Sequence, residues 1–123
     1  MKGIIRQNRS YADGSPTYEI DLYLEDTPLP LYDGERSTFK LKIGTDEYEC
    51  GIRYHDRTGP WMCPDLYRLD SAEKVRLSKA LLKQGYKKGD RVSFHYSDKL
   101  NRITLEEFSR HIQNFRMRSY GKR

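Results

Sequence analysis

Residues 50–64, CGIRYHDRTGPWMCP, set two arginines, a histidine and an aspartate around a glycine turn, between flanks that read as strands. A guanidinium at such a position can hold a phosphate, or grip the O6 and N7 edge of a guanine through two parallel hydrogen bonds that an ammonium cannot reproduce. Period-two alternation sends Tyr48, Cys50, Ile52 and Tyr54 inward and leaves Arg53 and His55 outside, with Asp56 to Gly59 as the tip and Arg57 exposed on it. Asp56 can accept from a cytosine amine, but is better suited to orienting Arg53 or Arg57. Trp61 reads as a core or hinge residue rather than a base-stacking one. A second polar stretch, Arg6, Gln7, Asn8, Arg9, Ser10 and Tyr11, lies between the first two apolar segments. It is read as a loop rich in phosphate-capable and base-capable side chains. Together the two stretches suggest a pair of jaws.

Other chemistries find less support. A metal-dependent nuclease of the restriction type needs two carboxylates and a lysine on neighbouring strands. Pro64 and Asp65 begin such a pattern, nothing completes it, and Glu73 and Lys74 fall on an expected helix. Cys50, His55 and Cys63 lack the close pairing of a zinc site, so no metal and no cofactor is expected. The thiols read as small buried hydrophobes. No phosphate-cradling glycine loop or nucleophile elbow occurs. His95 and His111 read as surface or packing residues.

The elements that must position these groups follow from periodicity. Alternation marks strands at Tyr18 to Leu24, Phe39 to Ile43, Tyr48 to Tyr54 and Val92 to Tyr96, separated by turn-rich YADGSP, EDTPLPLYDGERS and RTGP. Two segments break that rhythm. DSAEKVRLSKALLKQG predicts a helix capped by Asp70 or Ser71 and stopped at Gly85, with Lys74 and Lys79 solvated on it. TLEEFSRHIQNFRMRSYG predicts a second over residues 105–120, with a capping box from Thr104 to Glu107 and an apolar stripe of Leu105, Phe108, Ile112 and Phe115.

The 123 residues carry 23 basic and 18 acidic side chains, a net charge of +5. That excess is mild, but it is uneven: seven Lys or Arg against two Glu lie between Lys99 and Arg123, while Glu19 to Asp33 is acidic. No apolar run is long enough for a membrane span and no secretory leader is visible, so a soluble, cytoplasmic protein is expected; the length suits one domain over 1–123, and a monomer is expected.

STFKLKIGTDEYECGIRYHDRTGPW, a helix, and then LLKQGYKKGDRVSFHY with Gly89, Asp90, Val92, Ser93 and Phe94 together resemble the core of plant B3 DNA-binding domains over about residues 3–100. The same core is found as the DNA-recognition or effector domain of EcoRII-type restriction endonucleases. The resemblance implies a mainly β (α+β) fold, a small open pseudobarrel of about seven strands with two helices. It implies a non-catalytic module that reads a short duplex site through the major groove, without a small-molecule substrate, as the specificity domain of a bacterial restriction endonuclease. Carried over by position, Arg6, Gln7, Asn8, Arg9, Ser10 and Tyr11 would form one arm and Arg53, His55, Asp56, Arg57 and Trp61 the other. Two departures stand against the pattern: EDTPLPLYDGERS replaces a helix of that core, and the C-terminal helix is additional. Ten tyrosines also suit a single-strand or RNA binder on an OB-like barrel, and the apolar C-terminal stripe suits a protein-interaction module.

Overall fold

Alternating stretches become strands because each presents one apolar face to a shared interior. A computed structural model describes residues 1–25 and 27–106, with strands β1 (Lys2–Ser10), β2 (Pro16–Tyr23), β3 (Arg36–Ile43), β4 (Asp46–His55), β5 (Gly59–Met62), β6 (Asp65–Arg68) and β7 (Lys74–Arg76). The helix α1 (Leu77–Lys83) follows, then β8 (Arg91–Ser97) and β9 (Arg102–Leu105).

The sheet runs β3-β9-β8-β1-β2-β5-β4, and β4 pairs back onto β3 from Arg36↔Arg53 to Ile43↔Asp46. The barrel of seven strands is therefore closed, where an open pseudobarrel was expected. Its interior holds Ile5, Ile20, Leu41, Cys50, Ile52, Met62, Phe94 and Ile103, all essentially inaccessible. β6 and β7 extend from the edge of β4 as a flap outside the closed ring.

Each end of the barrel is plugged by a different segment. At one end α1 buries Leu77, Ala80 and Leu81, and the Gln84 side chain after it lies against Gly44 in the β3–β4 turn. The β2–β3 connection crosses the other end and buries Leu29, with Leu24 and Leu31 half-buried beside it. The proline-rich β2–β3 connection thus plugs this end of the barrel without a helix.

The first helix starts later than its sequence suggests. Arg68 takes the Asp70 carboxylate through two hydrogen bonds, 3.1 and 3.0 Å, so Asp70 caps nothing, and Ala72 adopts a positive φ of 59°. Residues 74–76 then pair with β6, and α1 begins only after Arg76, which makes no side-chain cap. Lys74 accordingly belongs to a strand and pairs with Asp65 at 3.6 Å, while Lys79 is exposed on α1 as expected. The stop at Gly85 holds: its φ is 86°, and the Gly85 and Tyr86 amides close onto Leu82 and Leu81. Among the described residues α1 is the single helix. The second expected helix cannot begin at Thr104 or Leu105, which pair with β8. Its remainder, to residue 120, lies outside the described residues.

Candidate nucleic-acid interface

The β4–β5 ribbon carries its side chains as the alternation requires. Arg53, His55, Asp56 and Arg57 are exposed, and Tyr54 is only half-buried because the ribbon has passed the barrel rim there. A turn with Gly59 at φ 77° joins the strands, which pair as Arg53↔Trp61 and His55↔Gly59. Trp61 is on the outer face, half-buried, and stacks on His55 with ring centroids 5.5 Å apart and an interplanar angle of 28°. It lies at the surface and stacks on His55, outside the core, where a core or hinge residue was expected.

The tip is braced from behind. Asp33 accepts a hydrogen bond from the Asp56 amide at 2.8 Å and comes within 3.9 Å of His55. The Gly34 amide donates to the Tyr54 carbonyl and the Tyr54 amide to the Glu35 carbonyl. The Asp56 carboxylate, hydrogen-bonded to the Tyr54 hydroxyl, raises the pKa of that phenol. It therefore engages Tyr54 rather than Arg53 or Arg57, with neither of which it forms an ion pair among the described residues. Those two arginines are left with no carboxylate partner there.

The first arm departs more from its expectation. Arg6 to Ser10 belong to β1 and pair with β2, with a bulge between Gln7 and Arg9. Arg6 hydrogen-bonds both oxygens of Asp21, at 2.9 and 3.1 Å, and reaches Glu19 at 3.1 Å. The Asp21 bond, with Glu19 beside it, raises an already high guanidinium pKa further. Arg6 is a lateral tie across two strands, not a free donor. Tyr11 is also engaged: Arg76 lies 3.8 Å over its ring, and its hydroxyl donates to Asp65 at 3.5 Å. Arg76 in turn donates to Asp13 and Ser15, at 2.9 and 2.6 Å, which clips the β1–β2 turn to the flap. Asp13, bonded to Ser15 and Arg76, is held well below the usual carboxylate range. Gln7, Asn8, Arg9 and Ser10 remain exposed.

Strand direction decides how the two arms relate. β2 pairs with β5 as Ile20↔Met62 and Asp21↔Trp61, so the β4–β5 tip lies beyond the end of β2 at Tyr23, whereas the β1–β2 turn precedes Pro16. The tips are at opposite ends of an eight-residue strand, roughly 23 Å apart at about 3.3 Å per residue.

Between them the outer face of β2, β5 and β4 forms a groove of about 670 Å³ lined by Arg36, Arg53, Trp61, Glu19, Glu49 and Asp65, among others. Glu19 is tied to Arg6 and Asp65 to Lys74. Arg36 enters this groove by lying across Gly51, where any Cβ would collide with the guanidinium. Arg36 escaped the sequence reading, although two signals pointed to it: it is outward on β3 in period two with Thr38 and Lys40, and a glycine inside a strand marks a close approach.

Cys50 is sealed in the core, where burial pushes its thiol up to about 12. Cys63 is buried on the groove side, and both are free. No group of three His, Cys, Asp or Glu is arranged to hold a metal ion among the described residues. No described helix is long and apolar enough to cross a membrane. Comparison with protein-family models, curated proteins and solved structures yields no match for this chain.

Proposed function

We propose that this chain binds double-stranded DNA sequence-specifically, with the β4–β5 ribbon in the major groove. The observation that carries the reading is a braced two-stranded ribbon that projects Arg53 and Arg57 without carboxylate partners among the described residues. A major groove about 12 Å wide admits such a ribbon, and an arginine held at its tip is brought to base depth with little freedom left to lose. At least one of Arg53 and Arg57 reads a base edge. The exposed Gln7 to Ser10 edge lies too far from the ribbon tip to share one cross-section of the groove. It meets the duplex along the groove, six to seven base pairs on at roughly 3.4 Å each, with Arg9 on a phosphate. By its resemblance to EcoRII-type effector domains, the chain serves as the specificity module of a restriction endonuclease, a monomer that does not itself cut DNA.

Selection from random duplexes, followed by gel shifts with duplex, single-stranded DNA and RNA at two salt concentrations, tests this. A motif should emerge, bound about a thousandfold more tightly than random duplex. Enrichment of no motif, or a preference for single strands, refutes it. The second outcome has its own support in the His55–Trp61 stack and in Tyr23 and Tyr32, which are 52% and 63% exposed. Such rings stack unpaired bases, as an OB-like binder of RNA or single strands requires.

A further inference from the structure

We propose that Arg36 and Arg53 form a two-arginine clamp for one phosphodiester group of the nucleic-acid backbone, on the outer face of the β3–β4 pair. The register shows why these two are unusual. Outward pairs along this ladder are Lys42↔Glu47, Lys40↔Glu49, Thr38↔Gly51 and Arg36↔Arg53. The first two match opposite charges, and the last sets like charges directly opposite, an arrangement that destabilises a sheet. Neither arginine forms an ion pair among the described residues, and both are exposed. Gly51 supplies the notch that lets the Arg36 guanidinium lie across β4, in the groove that Arg53 and Trp61 also line. The uncompensated charge is thereby gathered at one end of the groove.

A phosphate is the ligand that suits this arrangement, because two guanidinium forks present planar donor pairs to an oxyanion and their mutual repulsion is relieved when it binds. Glu49 faces the same groove two residues along β4 from Gly51. It repels an anion there and confines the phosphate to the Arg53 end. The Trp61–His55 stack borders that end, so the sugar or base attached to the phosphate meets an aromatic surface. This assignment rests on the nucleic-acid reading above and divides the labour of the ribbon: Arg57 at the tip reads a base, and Arg53 with Arg36 holds the backbone.

The test is anisotropy of a labelled duplex across a salt series for the wild type, R36A, G51A and E49Q, each with its melting midpoint. R36A should weaken cognate and random duplexes by the same factor, five- to twenty-fold, lower the salt slope by about 0.9, and leave the midpoint unchanged or raised. G51A should weaken binding in the same way with Arg36 intact, since the added methyl meets only the end of a flexible side chain and the fold survives. E49Q should tighten binding. A wild-type salt slope and affinity in R36A overturn the clamp while leaving duplex binding by this chain in place. If the wild type binds no duplex, the reading under Proposed function fails, and calorimetry with inorganic tripolyphosphate decides the clamp alone. Binding lost in R36A sustains it, and binding indifferent to Arg36 overturns it.

Discussion

Replacing Arg6 by alanine separates a base-contacting arginine from a structural one. In the sequence Arg6 belongs with Gln7, Asn8 and Arg9 as a groove contact, but in the fold it bonds Asp21 twice and Glu19 once. The Arg6 and Asp21 side chains are 41% and 40% exposed, so solvent screens that pair and it contributes at most about 1 kcal/mol. Glu19 differs, with a side chain only 11% exposed. Without Arg6 its carboxylate is left nearly buried and unpaired, which costs on the order of 1 to 2 kcal/mol. R6A should therefore lose about 1 to 3 kcal/mol in urea unfolding, or roughly 4 to 12 °C in melting midpoint for a domain of this size. E19Q in the same background should recover part of that loss, because a neutral amide tolerates the site better than an orphaned charge. Duplex affinity of the folded R6A protein should match the wild type within about twofold, in contrast to R57A, which should melt normally and lose cognate affinity by roughly 1 to 3 kcal/mol. An R6A protein with wild-type stability and impaired duplex binding would refute this assignment and return Arg6 to the interface.

Three further outcomes are expected. The folded state holds Cys50 as a neutral thiol with its pKa raised from 9.0 to about 12; this contribution is complete below the free-thiol value and is lost as pH rises from there to the folded value, at up to about 1.4 kcal/mol per pH unit. C50A should flatten that alkaline loss in urea titrations between pH 8 and pH 11, and an unchanged slope would show that Cys50 ionises freely. D33A removes the acceptor of the Asp56 amide, so exchange of that amide should accelerate about fivefold or more while the barrel core stays protected; no acceleration would mean that the tip is not braced by Asp33. L81A removes a fully buried plug residue and should cost about 2 to 5 kcal/mol, read by urea unfolding, whereas a loss under 1 kcal/mol would mean that α1 does not seal the barrel.

The sequence by itself determined the strands, because a one-sided interior imposes period two and nothing local competes with it at Tyr48 to Ile52 or Val92 to Phe94. It also determined the outward set of Arg53, His55 and Arg57 and the stop at Gly85, each of which depends on near neighbours alone. Tertiary structure decided the rest. Asp70 looked like a cap until Arg68 offered it a bidentate partner, and residues 74–76 looked helical until the β6 edge offered backbone hydrogen bonds. Arg6 and Arg57 are the same residue type in comparably polar surroundings, and only the pairing of β1 with β2, which brings Asp21 and Glu19 beside one of them, tells them apart. Closure of the barrel and the opposite placement of the two tips depend on which strand edges meet across long stretches of chain. The pleat of a single strand contains no information about that, so the mutual position of the arms emerges only when β2 pairs with β5.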